Sequence, residues 1–316
     1  MNNKITVVAV LGPTASGKTE LSVELAKAFN GEIVSADSMQ IYKGMDIATA
    51  KPTAEEMKGV SHHLIGFLDK TEKFSVARYV ELAKKAVSDI STRGRLPFIV
   101  GGTGLYADSL LNNIAFTDNS TDSAVREKYQ KLLRENGIEY LLNILKEVDS
   151  ESYNRLCKEI NSKRIIRALE FYEVTGKTIT EQIRESKKLS PYNSVKIGLT
   201  CRDREKLYDR INRRVDIMVE NGLVKEAEEF FSSKSSETAV MAIGYKELLT
   251  YFNNEATLDE CLEKLKMNTR RYAKRQLTWF RRDQDINWIY IDECENFGEL
   301  FSKAVNIIES KGIKNG

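Results

Sequence analysis

Short apolar runs alternate with amphipathic stretches along the first third of the chain. Residues 5–11 form a continuous apolar run rich in β-branched residues, which is typical of a strand covered on both faces. Further buried strands are predicted at 33–36 and 97–100, and apolar residues recur with helical spacing after Lys18 and over 74–92. Strands that alternate with helices indicate βαβ crossovers and a parallel sheet.

The pattern changes between residues 117 and 190, where helical periodicity dominates and no convincing strand is predicted. Strand and helix patterns then return at 195–200, 205–231, 258–282 and 288–291. We therefore expect an α/β core in two pieces, residues 1–116 and 191–316, interrupted by a helical insertion at 117–190.

Composition excludes several classes of protein. The chain has 316 residues, of which 41% are hydrophobic and 30% charged, so it can bury a core without disulfides. The four cysteines include no C-x-x-C pair, which argues against a zinc site or a redox dithiol and fits a reducing cytoplasm. The apolar run at the N-terminus is too short for a signal peptide or a membrane span. The net charge of +2 argues against a strongly basic nucleic-acid binder.

The strongest motif lies between the first predicted strand and the first predicted helix. Its sequence fits G-x-x-x-x-G-K-[ST] at each fixed position. Backbone N–H groups and the helix N-terminus would bind phosphate, Lys18 would neutralise its charge, and Thr19 can hold Mg²⁺. The fold is therefore expected to be a P-loop NTPase-like parallel sheet flanked by helices, with a helical insertion subdomain. The predicted phosphate-binding residues are Gly12, Pro13, Thr14, Ala15, Ser16, Gly17, Lys18 and Thr19.

Asp37 is the main candidate for acid-base chemistry. It follows the second predicted strand, whose carboxyl end should share an edge of the sheet with the phosphate loop. Asp37 can ligate a metal, act as a general base, or cap the next turn. The adjacent pair His62 and His63 is more typical of packed or hydrogen-bonded side chains than of a catalytic base.

Basic residues cluster on a predicted helix near the C-terminus. Six of the thirteen residues over 270–282 are Lys or Arg, and most share one helical face. This face can line a nucleic-acid backbone, with Gln276 and Trp279 available to bases, or it can be a solvated face or an anion-binding wall. Smaller basic groups lie at 163–167 and at Arg210, Arg213 and Arg214, where an arginine could close over a diphosphate.

Several segments together carry a family resemblance. They are Gly-Pro-Thr-Ala-Ser-Gly-Lys-Thr at 12–19, Ser-Ala-Asp-Ser-Met-Gln-Ile-Tyr at 35–42, Ala-Thr-Ala-Lys-Pro-Thr at 48–53, His-His-Leu at 62–64, Gly-Gly-Thr-Gly-Leu-Tyr at 101–106 and Arg-Tyr-Ala-Lys-Arg-Gln-Leu-Thr-Trp-Phe-Arg at 271–281. Over almost the whole chain, these segments resemble the bacterial tRNA dimethylallyltransferases. That family transfers a dimethylallyl group from dimethylallyl diphosphate to N6 of the adenine 3′-adjacent to the anticodon (position 37) and releases diphosphate.

The resemblance implies a role for each matching residue. Asp37 matches the general base, Thr103 lies near the reacting adenine, and Arg214 rather than Arg213 stabilises the leaving diphosphate with Mg²⁺ on Thr19. The resemblance also implies a monomer that binds the tRNA anticodon arm. The implied tRNA-binding residues are Asp37, Ser38, Met39, Gln40, Thr103, Arg126, Lys163, Arg164, Ile165, Ile166, Arg167, Met241, Ala242, Ile243, Gly244, Tyr245, Lys246, Lys274, Arg275, Gln276, Leu277, Thr278, Trp279, Phe280 and Arg281.

Other functions also fit parts of the sequence. A small-molecule kinase that uses ATP explains the phosphate loop and an arginine above it, but leaves the basic helix without a task. A related enzyme that prenylates free AMP has shorter chains, without a large tRNA-binding portion. An RNA-binding module with a vestigial phosphate loop is the non-enzymatic alternative.

Overall fold

Parallel strands form the centre of the fold, as the alternating pattern predicts. The computed structural model describes residues 4–114, 122–158, 160–188, 190–232 and 234–314. Within these residues six parallel strands form one sheet, in the order β3-β2-β4-β1-β5-β6. The strands are β1 Ile5–Leu11, β2 Gly31–Ser35, β3 His62–His63, β4 Leu96–Gly101, β5 Tyr192–Thr200 and β6 Ile286–Tyr290. The predicted α/β class is confirmed.

Helices follow most strands, and a run of helices separates β4 from β5. Contacts divide the chain into two units: one runs to Ala107 and resumes at Tyr192, and the other spans Asp108–Pro191. The predicted boundary at 116/117 lies outside the described residues. The helices of the first unit are α1 Lys18–Ala28, α2 Ala54–Met57, α3 Val76–Thr92, α9 Arg204–Glu220, α10 Leu223–Phe231, α11 Glu237–Val240, α12 Tyr245–Phe252, α13 Leu258–Phe280 and α14 Phe297–Glu309. The other helices are α4 Gly104–Leu111, α5 Ser123–Val148, α6 Ser150–Leu156, α7 Ser162–Thr175 and α8 Ile179–Lys188.

Each unit has its own apolar core. In the first unit, side chains of the central strands, such as Val8 and Ile197, pack with Leu21 of α1 and Ile308 of α14. A core in the second unit is built from α5, α6 and α7, with Leu141, Leu145, Ile165 and Leu169 among its buried side chains. No described helix is both long and apolar enough to cross a membrane.

One of the two long predicted helices differs from the sequence-based expectation. The single helix predicted over 205–231 is two helices, because Gly222 has a φ of 98° and ends the helical path between α9 and α10. Helix α13 matches its prediction closely. It begins with a capping box in which Thr257 and Glu260 each bind the other's backbone N–H, so its start is fixed locally.

Candidate active site

The phosphate loop between β1 and α1 is held in shape by its own side chains. Gly17 precedes α1 with a φ of 83°, a left-handed conformation that favours glycine. The buried Ser16 hydroxyl donates to the carbonyl of Pro13 at 2.9 Å, and Lys18 Nζ donates to the same carbonyl at 2.6 Å. From α9, Arg210 Nε donates to the carbonyl of Ala15 at 2.8 Å. The conformation of the loop is therefore stabilised by hydrogen bonds from its own side chains and from Arg210 of α9.

Lys18 lies in an environment that disfavours its positive charge. Burial and, to a smaller extent, the positive charge of Arg214 lower its pKa to about 7, and the negative charge of Asp37 partly opposes the shift. A buried cation without enough negative charge nearby gains from a bound anion. The loop is therefore electrostatically suited to a phosphate group.

Helix α9 places the two candidate arginines in different environments. Arg214 is half-buried, and burial lowers its pKa, whereas Arg213 is exposed. Arg210 and Arg214 lie one turn apart, and the first of them already binds the phosphate loop. The structure thus brings Arg214 to the charge cluster of Lys18 and Asp37.

Asp37 and Thr103 meet because their strands are neighbours. β2 pairs with β4 in parallel, so the residues after both strands lie at the same edge of the sheet. Ser38 donates its backbone N–H to Thr103 Oγ1 at 3.1 Å, which ties the two segments together. Asp37 Oδ1 accepts the backbone N–H of Met39 at 2.9 Å and of Gln40 at 3.3 Å. One oxygen of Asp37 therefore stabilises the turn, and the carboxylate is held at the cavity described next.

A cavity of about 1290 Å³ joins the phosphate loop to Asp37. The end formed by Lys18 and Arg214 is cationic. Apolar side chains from several elements also line the cavity: Met39, Ile47, Val215, Met218, Ile243 and Leu265. A site that is cationic at one end and apolar on its walls suits a ligand that carries a phosphate and a short hydrocarbon.

The three residues that directly follow Asp37 are expected to bind RNA, and all three line this cavity: Ser38, Met39 and Gln40. The Gln40 amide already donates to the carbonyls of Thr49 and Ala50, at 3.2 and 3.1 Å. Gln40 therefore also holds a wall of the cavity.

The segment 241–246 is only partly accessible. Met241 is 63% exposed, and Ile243 and Lys246 are half-buried. Ala242, Gly244 and Tyr245 are buried, and Tyr245 packs against Phe230 in the core. Ala242 and Gly244 nevertheless line the cavity, whereas Tyr245 does not, so the expectation that this segment contacts RNA stays a prediction.

Helix α13 presents a basic face and a buried face. Arg271, Lys274, Arg275, Thr278, Arg281 and Arg282 are exposed, as the periodicity predicts. Gln276 and Phe280, however, are 5% and 1% exposed, and they share the inner face with Ala273. Leu277 and Trp279 are half-buried. Gln276 is therefore buried and not available to bases, contrary to the expectation. Phe280 is part of the core.

In the second unit, the predicted residues of α7 also separate by face. Lys163 and Arg164 are exposed, whereas Ile165 and Ile166 are buried in that unit's core, so the expectation of RNA contact is corrected for these two side chains. Arg126 and Arg167 both bind Glu170, which is fully buried, at 2.9 and 3.3 Å. The buried carboxylate therefore fixes two arginines.

Few protein ligands for a metal are found at the site. Among the described residues, no three His, Cys, Asp or Glu side chains are placed to hold a metal ion. Mg²⁺ usually keeps several waters and binds through one or two protein oxygens together with substrate phosphates. Thr19 and Asp37, which both line the cavity, fit that pattern.

Tyr272 is a site residue that the sequence reasoning missed. It lines the cavity from α13, and burial, with a contribution from the negative charge of Asp37, raises its pKa to about 12. Its position one turn before Gln276 was the available signal, because Tyr272, Ala273, Gln276 and Phe280 follow the spacing of an inward helical face.

The sheet, the loop after β1 and the cavity above them define an α/β protein with a P-loop-like fold. The family model described as IPP transferase matches residues 40–283, and the chain belongs to this family of enzymes. A tRNA dimethylallyltransferase from Bacillus cytotoxicus is 48% identical over 98% of both chains, and one from Acetivibrio thermocellus is 48% identical over 97% of this chain and 98% of its own.

Solved structures agree with this assignment. The full-length tRNA isopentenylpyrophosphate transferase from Bacillus halodurans is 45% identical, with a TM-score of 0.74 over 98% of this chain and 97% of its own. A eukaryotic dimethylallyltransferase acting on tRNA is 28% identical, with a TM-score of 0.82 over 98% of this chain and 81% of its own. The predicted family is confirmed.

Proposed function

We propose that the protein transfers the dimethylallyl group from dimethylallyl diphosphate to N6 of adenine 37 in tRNA and releases diphosphate. The observation that carries this proposal is the single cavity in which the phosphate loop and Asp37 are joined by apolar walls. A diphosphate fits the cationic end, and a five-carbon chain fits the apolar walls. The tRNA specificity is supported by the names of the relatives.

Departure of the diphosphate is assisted by positive charge. As the C1–O bond breaks, negative charge grows on the leaving oxygens, and groups already fixed around them lower the barrier. Lys18, Arg214 and the N–H groups of the loop are such groups. Thr19 and the diphosphate oxygens would hold Mg²⁺, which supplies further positive charge when it is bound.

Asp37 accepts the proton that the adenine amine loses. The N6 lone pair forms the bond to C1, the C1–O bond electrons leave with diphosphate, and one N6 proton passes to the carboxylate. The adenine must leave its stack before N6 can enter the cavity. Thr103, which binds the backbone beside Asp37, keeps this edge of the site in place.

The exposed basic face of α13 supports binding to the anticodon arm, because phosphate contacts provide most of the affinity for RNA. We also propose a monomer in the cytoplasm. The resemblance to the bacterial enzymes supports a monomer, and the four free cysteines support a reducing compartment.

The direct test is transfer of radiolabel from dimethylallyl diphosphate to unmodified tRNA by the purified protein, followed by mass spectrometry of the digested RNA. We expect N6-dimethylallyl adenine at position 37. Equal labelling of AMP and tRNA would favour the AMP prenyltransferase, and label passing only from ATP to a metabolite would favour a kinase. Binding of tRNA without transfer from any donor would favour the RNA-binding module.

A further inference from the structure

Gln276 makes two hydrogen bonds from α13 to distant parts of the site. Its Oε1 accepts the backbone N–H of Thr14, in the phosphate loop, at 2.9 Å. Its Nε2 donates to the carbonyl of Gly102, in the turn after β4, at 2.9 Å. The side chain is 5% exposed, so water cannot readily replace either bond. One amide therefore joins three separate segments.

The turn after β4 is shaped to receive this helix. A Cβ atom on Gly102 would lie 2.2 Å from Gln276 Nε2, and a Cβ atom on Gly104 would lie 2.2 Å from Cδ1 of Trp279. Both distances are too short for real atoms, so a side chain at either position would require Gln276 or Trp279 to move. The Gly-Gly-Thr-Gly motif at 101–104 and the Arg-Gln-Leu-Thr-Trp motif at 275–279 therefore pack directly against each other.

The contact reaches both ends of the reaction site. Thr14 begins the loop that surrounds the phosphates, and its N–H points to Gln276. Thr103 directly follows Gly102 and accepts the N–H of Ser38, beside Asp37. A primary amide is suited to this position, because it both accepts from one backbone N–H and donates to one backbone carbonyl. A carboxylate cannot donate, and a thioether forms at best weak hydrogen bonds.

We propose that Gln276 is a positioning residue that holds the phosphate loop and the turn carrying Thr103 in register, and so sets the affinity for the diphosphate. It acts through the backbone of Thr14 and Gly102 and not through RNA, although it lies on the helix with the basic face. The inference deepens the proposed function and rests on it for the transfer readout. Its binding readout requires only a diphosphate.

The first test compares Gln276→Met, which keeps the length of the side chain and removes the amide, with the unchanged enzyme. Loss of two buried hydrogen bonds predicts about a tenfold weaker Kd for inorganic diphosphate by calorimetry, and a KM for dimethylallyl diphosphate raised by a similar factor. The KM for tRNA should stay within about twofold. The matched control is Gln284→Met, an exposed position just beyond the helix, which should leave all three values unchanged.

Unchanged diphosphate affinity in a folded Gln276→Met protein would overturn the proposal, as would a defect confined to the KM for tRNA. Gln276→Glu keeps the acceptor for Thr14 but loses the donor and adds negative charge near the phosphates. It should weaken diphosphate binding more than Gln276→Met does. If Gln276→Glu bound diphosphate as tightly as Gln276→Met or more tightly, that result would also count against the proposal.

A second pair of variants separates hydrogen bonding from space filling, and it does not depend on Gln276→Met folding well. Gly102→Ala should displace the amide and weaken diphosphate binding about as much as Gln276→Met. The double variant Gly102→Ala/Gln276→Ala has room for the new methyl group but lacks the amide. Continued weak binding supports the positioning role, and recovery of the original affinity would show that Gln276 only fills space.

The outcomes also separate this inference from the proposed function. If the unchanged enzyme transfers no dimethylallyl group to tRNA, the proposed function fails, while the Kd values for inorganic diphosphate still test Gln276. If transfer occurs and those Kd values do not respond to Gln276 or Gly102, the inference about Gln276 fails alone.

Discussion

At the scale of single residues, the charge on Lys18 controls the response of the site to pH. Its pKa of about 7 means that the free enzyme loses this proton well below the ordinary lysine range. A bound diphosphate stabilises the protonated form and raises the pKa. At a pH between the pKa values of Lys18 in the free and the bound enzyme, diphosphate binding is coupled to protonation of Lys18. The affinity for diphosphate should therefore fall as the pH rises above about 7. Below pH 7 Lys18 is already protonated, so binding takes up no proton there.

We expect uptake of about one proton by Lys18 when diphosphate binds at pH 8.5. Calorimetry in two buffers with different ionisation enthalpies measures the number of protons that are taken up when diphosphate binds. Lys18→Ala should abolish this uptake and leave only the proton change that belongs to the diphosphate itself. An identical number in both proteins would show that the lysine is charged before binding.

Asp37 can be tested without disturbing its turn. Asn at this position keeps an oxygen to accept the N–H groups of Met39 and Gln40, but it is a much weaker proton acceptor. Asp37→Asn should lower kcat for transfer by about 10²- to 10⁴-fold and leave the Kd for tRNA nearly unchanged. Single-turnover kinetics and a filter-binding assay measure the two effects. The exposed Asp89→Asn serves as the control, and full activity of Asp37→Asn would remove Asp37 from the role of base.

At the scale of elements, helix α13 has two tasks on opposite faces. Its exposed basic residues face solvent, and its buried residues bind the phosphate loop and line the cavity. Periodicity predicted the bounds of the helix and its basic face correctly. It did not reveal the partners of Gln276, because the bond to Thr14 joins residues 262 positions apart, and local spacing holds no information about such a contact.

The basic face should provide phosphate contacts. Arg271→Glu together with Arg275→Glu should weaken tRNA binding and reduce the slope of log Kd against log salt by about 2, one for each lost contact. Titrations at several salt concentrations measure the slope. Lys225→Glu with Lys311→Glu makes the same charge change at exposed positions elsewhere. A slope that changes equally in both proteins would reflect net charge and not this helix.

Other elements show why sequence patterns predicted strands better than helix ends. The centres of β1, β2, β4, β5 and β6 are short apolar runs, which the sequence displays directly, whereas the two-residue strand β3 was not predicted. The break between α9 and α10 depends on one glycine in a left-handed conformation. Helix α14, which the sequence analysis did not predict, is recognised by its packing against the sheet and α1. Both features had local signals that the strand and helix patterns above did not use, namely Asn221-Gly222 at the break and the regular apolar spacing of α14.

At the scale of the whole molecule, the apolar clusters of the first unit are separate from the apolar cluster of the second. Separate cores can lose protection independently, because each buries its own apolar surface. In the second unit, the fully buried carboxylate of Glu170 binds both Arg126 and Arg167. These two arginines are therefore held in place from inside the unit.

Glu170→Gln should destabilise the second unit by about 2 kcal/mol, because hydrogen bonds to a charged group are lost in the interior. Hydrogen exchange measured by mass spectrometry should show faster exchange in α5 and α7 and unchanged protection in β1, β4 and β5. The exposed Glu127→Gln, on α5, is the control. Equal loss of protection in both units would indicate one cooperative body.

The position of β1 in the sheet determines when this strand can pair with both of its neighbours during synthesis. β1 lies between β4 and β5, and Ile5 pairs with Tyr192, 187 positions later. At about 5–20 residues per second, the strand that carries the phosphate loop waits roughly 10–40 s for this neighbour to leave the ribosome. During that time one edge of an apolar strand is open to other chains, so the nascent protein is most exposed to aggregation before residue 200 emerges.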